Sequence, residues 1–149
     1  MNFYRLASET GFRDLSGARV EGRWNKATDD CLYVVDHPLM CLLESALVQL
    51  EPVTRIAPGR GIGVLEVPDG SIRIFTKEEL PFGWELVPEF SSRAFGAAQL
   101  EAAETLVLGF PARRFEREYH YVINLRHPLA REVKVVDFYY PFPLRGGGD

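Results

Sequence analysis

Residues 38–50, with the sequence PLMCLLESALVQL, constrain the fold more than any other segment of this chain. Pro38 suits the first turn of a helix, and Asp36 just before it is a candidate N-cap. The apolar residues recur at helical spacing and predict one continuous stripe, made of Leu39, Leu42, Leu43, Ala46, Leu47 and Leu50. The segment therefore predicts a helix from Pro38 to about residue 50.

Short apolar runs bounded by Gly, Pro, Ser and Asp predict strands in the rest of the chain. These predicted strands cover residues 2–7, 31–35, 61–67, 71–75, 106–110, 119–124 and 133–139. Residues 11–22 predict a loop, and the Pro-Asp-Gly turn at 68–70 predicts a hairpin between its two neighbouring strands. Residues 91–105, rich in Ala, Glu and Gln behind a serine cap, predict a second helix.

The order of these elements and the length of the chain predict the fold class. Strands and helices are interleaved along 149 residues without an internal repeat, which is typical of one mixed α+β domain. We expect this domain to span residues 1–145 and residues 146–149 to form a flexible tail. A chain of this length leaves no room for a separate cofactor domain.

The charge balance excludes some functions. The formal net charge is −4, whereas a groove for nucleic acid needs clustered Lys and Arg to neutralise phosphates. The arginines at 113–126 are interleaved with glutamates, so a solvated face is the better interpretation. The N-terminus lacks the profile of a signal peptide, and no apolar run reaches membrane-spanning length. We therefore expect a cytoplasmic protein that binds neither membranes nor nucleic acid directly.

The cysteines and histidines do not predict a metal site. Cys31 and Cys41 lie in apolar stretches without metal-ligand spacing, which favours buried free thiols. His37 and His127 each precede a proline, and His120 lies between two tyrosines. Capping or turn roles are therefore more common for such histidines than metal ligation.

Glu44 is the most informative polar residue, because it lies inside the apolar helix. Met40 and Val48 flank it one turn away on either side. A carboxylate in that position loses much of its hydration, so it should meet a cation or hydrogen-bond donors, or line a cleft. The residue pattern alone favours a structural ion pair somewhat over a catalytic role.

The tetrapeptide Gly22-Arg23-Trp24-Asn25 is a second candidate site. A tight glycine turn followed by these residues can present a planar cation and an amide from a loop. A surface arginine with a tryptophan packed beneath it is the more frequent outcome for these residue types. The glycines at 59, 61 and 63 precede a β-branched run and not a helix, so they indicate the start of a strand rather than a phosphate loop.

Taken together, several short motifs resemble the RES domain family in order and spacing. They are Arg5, the tetrapeptide at 22–25, Leu-Tyr-Val at 32–34, Leu-Glu at 43–44, Gly-Trp at 83–84 and YVINLRHP at 121–128. This resemblance covers nearly the whole chain. It implies a fold resembling that of ADP-ribosyltransferases.

The resemblance also implies a function. Members of the family are usually toxins encoded beside a helix-turn-helix antitoxin, and they break down NAD by hydrolysis or phosphorolysis or transfer ADP-ribose to a protein. The family's catalytic positions map to Arg23, Tyr33 and Glu44. The mapped substrate-binding positions also include Trp24, Asn25, Ala112 and Asn124. NAD is then the substrate, no metal or further cofactor is implied, and a homodimer is left open.

Ala112 departs from the family pattern, because the family serine aligns with the alanine of Pro111-Ala112. A natural divergence, an inactivating substitution and a displaced alignment remain alternatives. Ser45, Ser91 and Ser92 lie in helical contexts that make poor replacements, and Thr105 is a further candidate. The alternative function is therefore a catalytically impaired module that binds a nucleotide or an antitoxin.

The implied residues fit the chemistry of NAD cleavage. Nicotinamide leaves as a neutral molecule, so the developing ribose cation is the species that needs stabilisation, and Glu44 can provide it. Arg23 offers a planar fork for the diphosphate, and Tyr33 can stack on the nicotinamide ring. We expect Arg23, Tyr33, Glu44 and Asn124 to converge on one cleft.

Overall fold

The computed structural model describes residues 1–15, 20–49 and 59–142, which form seven strands and three α-helices. The strands are β1 (Asn2–Ala7), β2 (Cys31–Val34), β3 (Gly61–Glu66), β4 (Ile72–Ile74), β5 (Val107–Pro111), β6 (Tyr119–Asn124) and β7 (Lys134–Tyr139). The helices are α1 (Glu9–Arg13), α2 (Pro38–Gln49) and α3 (Phe90–Ala102). The prediction of one α+β domain is confirmed.

The strands form two sheets that pack against each other. One sheet has the order β1-β3-β7 and is antiparallel; the other has the order β2-β6-β5-β4, in which only β4 and β5 are parallel. A backbone bridge between Tyr4 and Val35 joins the sheets, with N–O distances of 2.8 and 3.0 Å. The main core lies between them, where Phe3 and Leu65 meet Val34 and Ile123.

A second core lies on the other face of the four-stranded sheet. Trp24, Phe75 and Phe110 pack there against Leu100 of α3. The two faces alternate along each strand, so Tyr121 and Ile123 face the first core while Val122 faces the second. His120 and Asn124 therefore share the face of Val122.

The predicted hairpin over residues 61–75 is wrong. β3 belongs to the first sheet and β4 to the second, where β4 pairs with β5. The Pro-Asp-Gly turn, with Gly70 at a φ of +79°, carries the chain from one sheet to the other. Val67 donates to the Met1 carbonyl, whereas the Ser71 carbonyl accepts from Val107, so the two ends bond to different partners.

The bounds predicted for the first helix are close to those of α2, but the predicted apolar stripe is right only for Leu42, which is buried, and Ala46, which packs against the same core. Met40, Cys41 and Leu42 form the buried face, and they contact Leu6 and Ile62. Leu39, Leu43 and Leu47 are 63, 42 and 41% exposed. Only the side of α2 that faces β1 is covered, and sequence spacing cannot identify that side. Leu50 lies outside the residues whose side chains are described.

The helix caps also differ from the prediction. The His37 ring Nδ1 accepts a hydrogen bond from the Leu39 N–H at 3.2 Å, so His37 caps α2. Asp36 instead accepts from the Tyr121 hydroxyl at 3.3 Å. α3 begins after Glu89 without a side-chain cap, and it ends where Ala103 adopts a φ of +48°. The hydrogen bond from the distant Tyr121 thus holds Asp36 in a role other than the predicted cap.

Two further predictions concern the loop and the tail. The loop predicted over residues 11–22 begins inside the short helix α1, and residues 16–19 lie outside the described part of the chain. The tail predicted at 146–149 also lies outside it, so that prediction and the boundary at residue 145 remain predictions. Cys31 and Cys41 are free and buried, as expected.

Candidate active site

A cavity of about 280 Å³ lies where β1, β2 and α2 meet the beginning of β6. Its polar lining includes Arg5 from β1, Tyr33 from β2, Glu44 and Ser45 from α2, and His120 from β6. Two of the predicted catalytic residues, Tyr33 and Glu44, therefore line one cavity. Arg5 and His120 join them from strands far away in the sequence.

The Glu44 carboxylate is paired with His120, with 2.7 Å between Oε1 and Nε2. Burial raises the pKa of Glu44, but the hydrogen bond from His120 and the charges of His120 and Arg114 outweigh it and hold the pKa below its ordinary value. An ionised carboxylate only accepts hydrogen bonds, so Nε2 of His120 carries the hydrogen. The sequence predicted either a partner or a cleft for Glu44, and the structure provides both.

Tyr33 is fixed by the tetrapeptide at 22–25. Its hydroxyl donates to Asn25 Oδ1 at 2.6 Å and accepts from the Trp24 N–H at 3.0 Å. Burial raises the pKa of Tyr33 far above its ordinary value, so the phenol stays neutral. A Cβ on Gly22 would lie 2.5 Å from this hydroxyl, which explains the glycine.

Asn25 and Trp24 are support residues in this structure. Asn25 is fully buried, and its amide donates to the carbonyls of Val20 and Lys26 while its oxygen accepts from Gly22 and Tyr33. Trp24 is 1% exposed and stacks on Phe110 at a centroid distance of 4.0 Å. Neither side chain lies in the lining of the cavity that holds Glu44.

Arg23 is the third predicted catalytic residue, and it binds to the segment at residues 84–89. Its Nη1 donates to the carbonyls of Trp84 at 2.8 Å and Leu86 at 3.2 Å, and Nη2 lies 3.6 Å from Glu89. Burial lowers the pKa of Arg23, Glu89 opposes that change, and Arg113 and Arg114 add to it. The charge of Arg114 thus lowers the pKa of both Arg23 and Glu44.

Asn124 does not line the cavity that holds Tyr33 and Glu44. Its Nδ2 donates to the Leu100 carbonyl at 2.9 Å, and its Oδ1 accepts from the Arg126 N–H at 3.1 Å. It lines a separate cavity of about 570 Å³ beside α3, together with Lys26 and Asp29. Four residues of β-strand span ~13 Å, so Asn124 is remote from His120 on the same face of β6. The structure thus places Tyr33 and Glu44 in one cavity, whereas Asn124, a diagonal neighbour of Tyr33 across β2 and β6, lines another.

Ala112, at the position of the family serine, lies just beyond β5. It is 4% exposed, its N–H donates to the Glu118 carbonyl at 2.8 Å, and it lines a third cavity of about 250 Å³. His120 pairs with Phe110, so Ala112 is its diagonal neighbour across the two strands. Such neighbours are about 7–8 Å apart.

The serine and threonine alternatives to Ala112 divide between two environments. Ser91 and Ser92 donate to backbone carbonyls of Phe82 and Glu89, and Thr105 donates to that of Val107. Ser45 lines the cavity beside Glu44. Ser45 is therefore the hydroxyl of this group that the structure places near the predicted catalytic carboxylate.

Two residues of the cavity received no site role from the sequence. Arg5 donates from Nη1 to the Tyr33 carbonyl at 3.0 Å, and burial together with the charge of Arg60 lowers its pKa. The capping or turn role predicted for His120 is wrong, whereas His37 and His127 do cap helical turns. The local signal for His120 was its position two residues before the buried Val122, on the same face of a strand. Its partner Glu44, however, is 76 residues away in the sequence.

Two further features bear on the class of protein. No helix in the described ranges is long and apolar enough to cross a membrane. Residues 1–15, 20–49 and 59–142 contain no group of three or more His, Cys, Asp or Glu side chains arranged to hold a metal ion.

Comparison with known proteins identifies the family. The RES domain matches residues 2–145, so the chain belongs to the RES family. It is 30% identical over 148 residues to the Prs ADP-ribosylating toxin of Sphingobium sp. (strain YBL2), covering 89% of this chain and 88% of the relative. A chain in the crystal structure of the M. tuberculosis MbcT–MbcA toxin–antitoxin complex is similar in fold, with a TM-score of 0.73 and 17% identity, covering 93% of this chain and 82% of that chain.

Proposed function

We propose that this protein is the toxin of a toxin–antitoxin pair and an enzyme that cleaves the nicotinamide–ribose bond of NAD. The observation that carries the proposal is the ionised Glu44 carboxylate, held by His120 in a cavity that Tyr33 also lines. Membership of the RES family and the similarity to an ADP-ribosylating toxin support it. We assign the domain to residues 1–145.

The proposed reaction breaks the bond between ribose C1′ and the nicotinamide nitrogen. The electron pair of that bond returns to the pyridinium ring, so nicotinamide departs neutral and needs no strong general acid. Positive charge develops on the ribose, and the fixed negative charge of Glu44 stabilises it more than it stabilises the ground state. An acceptor oxygen or nitrogen then bonds to C1′ and loses its proton to solvent.

The chain's own residues divide the work of binding. The cavity is slightly smaller than the ~300–1,000 Å³ of typical ligand sites, so it suits the nicotinamide ribose half of NAD. Tyr33 offers its ring to the nicotinamide, and Arg5 supplies a cation inside the cavity. Arg23 keeps its role as a diphosphate ligand in the proposal, provided that the substrate replaces the carbonyl acceptors it has now.

The acceptor of the ADP-ribosyl group is proposed to be a protein side chain. The named activity of the Sphingobium relative favours this over hydrolysis or phosphorolysis. Binding of a helix-turn-helix antitoxin in the cytoplasm is part of the same proposal, and the likeness to a chain of a toxin–antitoxin complex supports it. Co-expression with the product of the neighbouring gene, followed by size-exclusion chromatography, tests for a stable complex.

Ala112 favours one alternative function, a module that binds NAD or an antitoxin without efficient turnover. Its methyl group stands where the family pattern has a hydroxyl. The two functions share the same cavity and differ in chemistry.

One experiment separates these functions. The purified chain is incubated with NAD alone, with phosphate, and with a cell extract, and nicotinamide and ADP-ribosyl products are followed by mass spectrometry. We expect nicotinamide release together with ADP-ribosylated protein in the extract. Binding of NAD without release would support the alternative module. The absence of both NAD binding and nicotinamide release would contradict the enzyme and the NAD-binding module, and only an antitoxin-binding module would remain.

A further inference from the structure

We propose that His120 is a positioning residue that fixes the Glu44 carboxylate towards the cavity. The inference rests on the proposed function for its effect on turnover, but its structural part does not depend on it. His120 acts through Glu44, and it is not assigned a direct contact with the substrate.

The two residues belong to parts of the fold that are anchored separately. Glu44 lies in the middle of α2, which packs on β1, whereas His120 lies on β6, which is hydrogen-bonded to both β2 and β5. Their side chains are 21 and 27% exposed, so the contact is mostly shielded from water. A strand with neighbours on both sides gives the imidazole a rigid base from which to hold a side chain of a helix.

Within the described part of the chain, His120 is the residue that makes a hydrogen bond with the Glu44 carboxylate. Arg114 acts on Glu44 through its charge. Without the imidazole, burial would act on the carboxylate with less opposition, and the carboxylate would have no fixed direction. A neutral or misdirected Glu44 would no longer face the developing ribose cation.

Other polar and titratable groups line the same cavity as the Glu44–His120 pair. Tyr4 and Arg5 face it from β1, Tyr33 from β2, Cys41 from α2, and Arg114 from the segment after β5. Burial raises the pKa of Cys41 to about 12 and that of Tyr33 higher still. Cys41 and Tyr33 are therefore neutral.

The test uses His120→Phe, which removes the donor, and His120→Gln, which keeps an N–H donor. His127→Asn is the matched control, because His127 caps a helical turn away from the cavity and Asn is also a good cap. Circular dichroism first establishes that each variant is folded. The pKa of Glu44 is then measured in each protein by NMR of a carboxyl-labelled sample.

We expect His120→Phe to raise the pKa of Glu44 and to lower kcat by ~10- to 100-fold with little change in KM, the range found for residues that orient an active group. His120→Gln, which keeps a donor to the carboxylate, should bring the pKa of Glu44 back towards its native value and recover part of kcat. The control should match the native protein in all three measurements.

The outcomes distinguish this inference from the proposed function. An unchanged pKa of Glu44 in His120→Phe would overturn the positioning role, whether or not the protein is active. If His120→Phe raises the pKa of Glu44 but the native protein releases no nicotinamide, the positioning role would be supported and the proposed function contradicted. A raised pKa with native kcat would overturn the link between positioning and turnover.

Discussion

The Tyr33 hydroxyl and the Asn25 side chain are joined by a hydrogen bond of 2.6 Å between the phenolic oxygen and Oδ1. This bond ties the turn at residues 22–25 to strand β2, and the backbone N–H of Trp24 donates to the same hydroxyl. The turn therefore orients a residue that lines the cavity. Its own Asn25 and Trp24 side chains are buried behind that residue.

Tyr33→Phe should destabilise the protein although the ring is retained. The substitution leaves the buried Trp24 N–H without the hydroxyl and removes one of the two donors to Asn25 Oδ1. We expect a loss of about 1–3 kcal/mol in the free energy of unfolding, measured by chemical denaturation. Tyr140→Phe, at an exposed tyrosine, is the control and should change it little. Equal stabilities for the two variants would contradict the support role of the turn.

Gly96→Ala should also destabilise the protein, against the preference of helices for alanine. A Cβ at position 96 would overlap the carbonyl group of Trp24, which belongs to the backbone and cannot move aside cheaply. Overpacking of this kind costs about 1–3 kcal/mol, whereas helix propensity alone would give a gain of about 1 kcal/mol. The sign of the change in thermal unfolding temperature decides between them, and an increase would show that α3 does not pack closely on Trp24.

Ala112→Ser tests the departure from the family pattern. The position lies diagonally across β5 and β6 from His120, so a hydroxyl there would stand near the Glu44 pair. If that hydroxyl positions the substrate or its acceptor, NAD consumption should rise by roughly 10- to 1,000-fold. An active native chain with no gain from this substitution would indicate that another hydroxyl, with Ser45 the nearest to Glu44 in sequence and in the same cavity, serves instead.

The pH dependence of stability tests the charge state of Glu44. Burial raises the pKa of Glu44, but His120 and Arg114 together lower it by a larger amount. The folded-state pKa is therefore below the ordinary value of 4.5. A lowered pKa means that the carboxylate stabilises the fold above the unfolded-state pKa and loses this contribution as the pH falls through the folded-state value. The stability difference between the native protein and Glu44→Gln should therefore shrink below about pH 4.5. A difference that grows with acidification would contradict the assigned direction.

The strands and the long helix could be predicted because their patterns are local. Alternation along residues 119–124 and helical spacing from residue 38 depend only on neighbours in the sequence. The prediction of a hairpin at 61–75 was wrong because strand pairing depends on residues far apart in the sequence, and β4 pairs with β5. The buried face of α2 was predicted only in part for a similar reason, since the position of β1 decides which side of the helix is covered.

The candidate site could be predicted only in part. A carboxylate in an apolar helix has to find a partner or a cleft, so Glu44 could be singled out from chemistry. Its partner His120 could not, because nothing local to residue 120 indicates residue 44. Asn124 matched the family pattern, yet the structure uses both ends of its amide to hold α3 and the turn after β6.

Nicotinamide release by Glu44→Gln tests the central claim most directly. The substitution keeps the shape and removes the charge, so turnover should fall by about 100- to 1,000-fold while the affinity for NAD stays nearly the same. Glu132→Gln, at an exposed glutamate outside the cavity, is the matched control and should keep native turnover. The measurement is nicotinamide formed per protein per unit time, with NAD binding followed by calorimetry on the same samples. Native turnover in Glu44→Gln would contradict the claim that this carboxylate stabilises the ribose cation.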